Sequence, residues 1–245
     1  MKDKQCIDAI HSGHFLYWDM LGRLRGAVNH KEDGLRWLSG DIDYNYYCDT
    51  ADAGSVVACM ENNEIPKTLT FLADSDEAAL IKPYRATGRF KETMRATGMA
   101  HKLAEAVPPT PDKWLSLFRV CDITQLKMAG SILNSVFEYR LFSLEKYIEM
   151  MGNAGQFFYL AEYDSLPVGA CMAQHGDGFI NISWVGVLPG YRKLGIAGCL
   201  IHAAERDGFR QGKTIGVLHG FPKAVGAYRR IGYQEYCVAI VLELQ

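Results

Sequence analysis

The sequence predicts an α/β protein, a mixed sheet with helices on both faces preceded by a smaller α/β half. Three observations carry this expectation. From Trp114 onward, short apolar runs alternate with segments of helical period. Residues Ala106 to Asp112 read A-V-P-P-T-P-D, and three prolines so close together forbid a helix and discourage a ladder. The 245-residue chain is 49% hydrophobic and 22% charged, the composition of a globular protein that can bury a core. The proline stretch is therefore a linker at about 106–112, between an N-terminal domain at 1–107 and a second domain at 113–245.

In the second half, Trp114 to Val120 is an apolar strand. Asp122 is an N-cap candidate for a helix carrying Leu126, Ala129, Ile132, Leu133 and Val136 at helical spacing. Ser143 caps a second helix, with Glu145 and Glu149 early in it. Gln156 to Tyr163 and Val168 to Gln174 read as strands joined by the turn Asp164-Ser165-Leu166-Pro167. Phe179 to Val187 is a strand, and Leu194 to Gly208 a helix with Gly208 near its C-terminal stop. Thr214 to Leu218, Pro222 to Ile231 and Tyr233 to Leu244 complete the series as strand, helix and closing strand. In the first half, Ile7 to Leu24 reads as a helix and Gly40 to Tyr47 as extended. Leu69 to Leu72 is a short strand, and Ala78 to Thr87 a helix stopped by Gly88. Trp114, Trp184 and Phe157-Phe158-Tyr159 are expected in the core, and Tyr44, Tyr46 and Tyr47 beside Trp37 on a sheet face.

Twenty-six Lys and Arg against 28 Asp and Glu leave a net charge of −2, so a nucleic-acid-coating protein is not expected and any anion site is local. The seven cysteines form no C-x-x-C pair, which points to buried free thiols rather than zinc or disulfides. Nothing at the N-terminus has signal-peptide length, and no window approaches a membrane span; a cytoplasmic protein without membrane partners is the expectation.

The segment Val185-Gly-Val187-Leu-Pro-Gly-Tyr-Arg192-Lys193-Leu194-Gly195-Ile196-Ala197-Gly198 carries the chemistry. A strand ends at a proline, and a helix begins among small residues. Helix N-termini present unpaired N–H groups and partial positive charge. Gly195 and Ala197 let a phosphate approach those amides, and Arg192 and Lys193 add charge. Neither a P-loop nor a G-x-G-x-x-G fingerprint is present. About thirty residues on, Pro222 to Tyr233 forms a short helix ending at a Gly-aromatic step.

This pair of motifs resembles the GNAT superfamily of acyl-CoA-dependent N-acyltransferases. Arg192, Gly195 and Ala197 match its Arg/Gln-x-x-Gly-x-Gly/Ala signature; Val187, Pro189 and Tyr191 match the run before it; Tyr228, Gly232 and Tyr233 match the Tyr-x-x-x-Gly-aromatic element. The resemblance covers about 115 to 245. The first half looks like the degenerate half of tandem GNAT proteins: Phe71-Leu72, the helix from Glu77, Gly88-Arg89-Phe90 and Met94 to Met99 resemble the last strand-helix-strand of such a half, without the signature.

The resemblance implies a splayed sheet with acetyl-CoA as cosubstrate and no metal. The backbone of Val185 and Val187 would meet the pantetheine amides, and the amides from Arg192 through Lys193, Leu194, Gly195, Ile196 and Ala197 to Gly198 the pyrophosphate. A small-molecule or peptide amine would attack the thioester directly, with Tyr228 as general acid to the CoA thiolate. A family-typical Glu is missing from Phe179 to Trp184. Asn181 or Ser183 would relay the proton through water, and Glu162, Asp177, His175 and His219 are the ionisable alternatives. Phe221 stands where relatives carry Asn, and Arg229-Arg230 is a solvated helix face or a 3′-phosphate contact. The competing readings are a catalytically silent acyl-CoA-binding module and a nucleotide-binding module. The protein is expected to be a monomer or homodimer.

Overall fold

The computed structural model describes residues 3–32, 35–39, 45–48, 53–62, 68–74, 77–104, 113–137, 142–153 and 155–245. The expected linker, and Tyr44 of the expected aromatic group, lie outside them.

Helix α1 (Lys4–Leu24) begins where the Asp3 carboxylate accepts the Gln5 N–H at 3.0 Å. Then come β1 (Val28–Glu32), β2 (Leu35–Ser39), β3 (Asn45–Cys48), α2 (Ala53–Asn62), β4 (Thr68–Ala73), α3 (Glu77–Ala86) and β5 (Phe90–Lys102). The second half supplies β6 (Leu115–Arg119), α4 (Ile123–Val136), α5 (Leu144–Gly152), β7 (Gln156–Tyr163), β8 (Leu166–His175) and β9 (Phe179–Val187). It ends in α6 (Ile196–Arg210), β10 (Ile215–Gly220), α7 (Pro222–Arg230) and β11 (Gln234–Leu244). Asp122 caps α4 as its position predicts, accepting the Gln125 N–H at 2.8 Å.

Among the described residues, eleven strands form one sheet, in the order β1-β2-β3-β4-β11-β5-β10-β9-β8-β7-β6. The series β1-β2-β3-α2-β4-α3-β5 is repeated as β7-β8-β9-α6-β10-α7-β11, each with two antiparallel pairings followed by a parallel one. The last strands are exchanged. β5 of the first half lies between β10 and β11, and β11 of the second lies between β4 and β5. This is the strand-helix-strand similarity that Phe71 to Met99 suggests, now visible as topology.

Helix α1 crosses the opposite face of the second half's strands from α6. Its Cys6, Ala9 and Ile10 pack with Phe179, Ile215 and Val217, while Ile196, Leu200 and Ile201 of α6 pack with Ile180, Ile182 and Leu218. Burying these apolar faces on both sides is what fixes the layers.

Several expectations need correction. Gly208 lies near the end of α6, as expected, but inside it: it is buried against Ile180, and the helix runs on to Arg210 before Gln211-Gly212. The β7–β8 turn is only Asp164-Ser165, both at positive φ, and the strand resumes at Leu166. Trp114 is 51% exposed, because it precedes the edge strand β6 and lies outside the core, with Lys113 over its ring. Phe157 and Trp184 are half-buried, whereas Phe158 and Tyr159 are core. Cys121 is exposed, while Cys6, Cys171, Cys199 and Cys237 are buried. Ser143 stands at the N-cap of α5 with no side-chain hydrogen bond to it.

Candidate active site

The site grows from one break in the sheet. β9 and β10 run parallel and pair only from Phe179 opposite Ile215 to Ile182 opposite Leu218. Beyond that vertex, Ser183 to Val187 have no partner on β10, while β10 continues to Gly220 along β5. The register of β9 against β8 shifts between Ala170 and Met172, opposite Gly186 and Ser183, and Trp184 within the shift has φ 49°. Such a bulge bends its strand away and re-aims the backbone. The result is a V whose lips are Val185 and Val187 on one side and His219-Gly220 on the other.

At the open end of β9, Pro189–Tyr191 forms a 3-10 turn. The chain then takes two left-handed steps, Lys193 at φ 68° and Gly195 at φ 78°. Gly195 is the N-cap of α6, and it is needed because that φ is strained for any residue with a Cβ. A Cβ built on Gly195 would meet nothing within 4 Å, so the space before the helix is open. Residues Arg192 to Gly195 are exposed at the N-terminal end of the helix, a geometry suited to an anion.

The cradle residues then differ in what they do. The side chain of Ile196 is 2% exposed and belongs to the core under α6. Gly198 faces Ile231 of the following helix end, with a built Cβ only 3.1 Å from its Cγ2. Arg192 turns back on its own strand, donating from Nε to the Val187 carbonyl at 3.1 Å. It braces the loop to the strand, and that carbonyl is already engaged. Lys193 and Leu194 are exposed.

Tyr228 lies on the α6 side of the sheet, against the end of β10: a built Gly220 Cβ would be 3.0 Å from its ring. The ring packs with the cluster under α6, and burial pushes the phenol above its ordinary pKa. It is therefore a protonated donor at neutral pH. Phe221 is 54% exposed at the start of α7. Arg229 is ion-paired to Glu235, which favours the surface reading for it.

On the opposite face, α1 approaches closely because Gly13 fits against Val217 and Asn181. Asn181, 4% exposed, donates to Gln174 Oε1 at 3.1 Å and reaches Ser183 Oγ at 3.4 Å. His219, one residue past the vertex, lies tilted against His14 of α1 with ring centroids 5.0 Å apart. The structure thus brings Asn181, Ser183 and His219 to the vertex. It does not bring His175 or Asp177 there: both sit at the β8–β9 turn, the far end of β9 from the cradle. Glu162 lies on β7, two strands away. A cavity of about 580 Å³ lined by Asp8, Phe15 and Asp177 also opens at that far end. The role of α1 was not legible in the sequence, since nothing local says which sheet face an amphipathic helix will cover.

Among the described residues, no group of three or more His, Cys, Asp or Glu side chains is placed to hold a metal ion, and no helix is long and apolar enough to cross a membrane.

Comparison with known proteins fits this geometry. Residues 154–235 match the family model of the acetyltransferase (GNAT) domain. A Bacillus subtilis protein named as an acetyltransferase is 31% identical over 84 residues, 34% of this chain; the match spans 57% of that relative's length. A GCN5-related N-acetyltransferase from Kribbella flavida superposes with TM-score 0.73 at 16% identity, covering 96% of this chain and 95% of that one. A tandem GNAT protein from the clavulanic acid biosynthesis pathway superposes with TM-score 0.62 at 13% identity, over 85% and 77% of the two chains. The splayed β9/β10 pair, the α6 cradle and the matched segment lie in the same stretch of sequence: residues 154–235 match a GNAT acetyltransferase domain, and the fold around them is that of GNAT-like structures.

Proposed function

We propose that the protein is an N-acyltransferase that moves an acetyl group from acetyl-CoA to a primary amine in a ternary complex. The observation that carries this reading is the V between β9 and β10, which ends at the strained, open N-terminus of α6. The residues present fit the cosubstrate. The edge of Ser183 to Val187 that has no partner on β10, the Val187 carbonyl excepted, offers strand-type hydrogen bonds to the pantetheine amides. The amides around Arg192 to Gly198 offer the pyrophosphate a helix N-terminus, with Arg192 and Gly195 setting the loop's shape. When bound, the thioester supplies an activated acyl group.

The chain's own residues then supply position and a proton. The V fixes the carbonyl beside the bulge, where a backbone N–H near Val185 stabilises the oxyanion. Tyr228, kept protonated by burial, donates to the departing sulfur. The acceptor enters from the α1 face, so the N-terminal half, as a second domain-like unit, shapes acceptor choice.

The test is thermal unfolding with acetyl-CoA beside ATP and NAD, followed by mass detection of acetylated amines. Stabilisation by acetyl-CoA alone, with product formed, supports the reading. Stabilisation by ATP or NAD instead overturns it, and binding without any product across amines leaves a silent acyl-CoA-binding module in its place.

A further inference from the structure

The α1 face of the vertex holds a polar group that neither the fold nor the acyl-CoA cradle uses. The Nε2 atom of His219 is shut off from solvent and has no hydrogen-bond partner. On β5 its neighbour is Gly98, which has no side chain, and on β9 it has no partner, because pairing stops at Leu218. A shielded, unsatisfied nitrogen costs stability and calls for a reason.

The surroundings say what would satisfy it. His14 of α1, 8% exposed, has its Nε2 taken by the Trp18 indole N–H at 3.1 Å. Asn181, on the same face of β9 and opposite Val217, has its amide N–H groups directed to Gln174 and Ser183. The indole of Trp184, at the bulge, donates to the Tyr17 hydroxyl at 2.9 Å. The contacts of His14, Asn181 and Trp184 are therefore made within the wall, whereas His219 Nε2 has none.

We infer that His219 Nε2 accepts a hydrogen bond from the attacking nitrogen of a primary amine, held at the vertex between α1 and the β9/β10 fork. This rests on the N-acyltransferase reading and names the acceptor's anchoring atom. The groups facing His219 are His11 and His14 of α1. Burial first, and then His11, hold the His219 ring at a pKa of about 4, so it is neutral and an acceptor at pH 7. Such a ring is too weak a base to store the amine's proton; it orients the lone pair. The nitrogen lone pair forms the C–N bond, and the C–S bond breaks with its electrons leaving on sulfur. Tyr228 protonates the thiolate, and the nitrogen's surplus proton returns to the phenol through solvent. On this face Tyr17 of α1 stands edge-on to both Trp18 and Trp184, with centroids 5.5 and 5.9 Å apart, an aromatic cluster that suits an amine with an apolar substituent.

The test uses 15N-histidine-labelled full-length protein saturated with CoA, with His219 assigned by the signal missing from His219→Gln. Propylamine is titrated in. The expected result is a neutral His219 whose unprotonated ring nitrogen shifts toward the hydrogen-bonded range as amine binds, with His175 unmoved. In His219→Phe, calorimetry should show propylamine affinity lowered about tenfold, the scale of one lost hydrogen bond, with CoA affinity unchanged. A His219 signal that stays still throughout the titration, or a propylamine affinity unaltered in His219→Phe, overturns the inference. CoA affinity, measured in the same samples, reports on the N-acyltransferase reading separately.

Discussion

Replacing Gly195 by Ala should separate the stability of α6 from its service to a ligand. Gly195 sits at φ 78°, and its built Cβ touches nothing within 4 Å. The methyl group therefore causes no clash in the free protein; the cost is conformational. A left-handed residue with a Cβ costs about 1–2 kcal/mol. For a chain of this size that lowers Tm by about 2–8 °C. Gly212, beyond the other end of α6, has φ 80° and an equally open Cβ position. Gly212→Ala should cost the same, and it is the control.

The two variants should differ once acetyl-CoA is added. At a hundredfold excess over Kd, binding contributes about 2.7 kcal/mol, or roughly 5–10 °C. Wild type and Gly212→Ala should both show this rise. Gly195→Ala should lose most of it, because the methyl group fills the open space before the helix that a phosphate would occupy. Gly195→Glu, which adds a like charge, should abolish it. Differential scanning fluorimetry with and without ligand reads all four proteins. A full ligand shift in Gly195→Ala would refute the reasoning that places the pyrophosphate at this turn.

Three further outcomes follow from the same structure. Tyr228→Phe should keep acetyl-CoA affinity and lower turnover about 10²-fold or more, the range for a lost general acid; steady-state kinetics beside calorimetry checks it, and undiminished turnover dismisses Tyr228 as the acid. Glu205, 4% exposed on α6, accepts from His101 Nδ1 of β5 at 3.0 Å and from His202 Nδ1 at 2.9 Å. Burial alone would lift its pKa, but the two histidine hydrogen bonds reverse that and lower it below 4.5, while the bond to Glu205 raises His101 above 6.5. The His101 contribution is complete below 6.5 and fades as pH rises through its raised value; that of Glu205 is complete above 4.5 and fades as pH falls. Glu205→Gln should thus lose most Tm relative to wild type between about pH 4.5 and 6.5, and a pH-independent difference contradicts the ion pair. Gly98→Ala should lower stability by about 1–3 kcal/mol through overpacking, since its Cβ would lie 2.3 Å from Cys237 Sγ across the exchanged β5/β11 pair; partial recovery in Gly98→Ala with Cys237→Ala, by chemical denaturation, checks that contact.

The second half was legible because its signals are local. The apolar run Phe157 to Ala161, the capping Asp122 and the Gly-rich start of α6 each declare an element without knowledge of its neighbours. The first half was harder to read. Strand β1 reads V-N-H-K-E, with no apolar alternation, and α2 reads A-G-S-V-V-A-C-M-E-N, where Gly54 and two valines weaken the helical signal. The exchange of β5 and β11 is a pairing choice between segments more than a hundred residues apart, which no local pattern encodes. Within the site, residue identity pointed to the cradle, but the division of labour came only from packing. Arg192 turns out to brace Val187, and Gly198 to face Ile231. His219 becomes distinctive only when α1 is seen over the vertex.

The central claim is that an acyl-CoA lies in the V between β9 and β10 with its pyrophosphate at the start of α6. Hydrogen exchange followed by mass spectrometry, with and without saturating acetyl-CoA, tests that placement directly. The account predicts protection concentrated in peptides spanning Ser183 to Val187 and Arg192 to Gly198, with β1 to β4 unaffected. Binding that leaves both segments unprotected, or protects chiefly the first half, would contradict it.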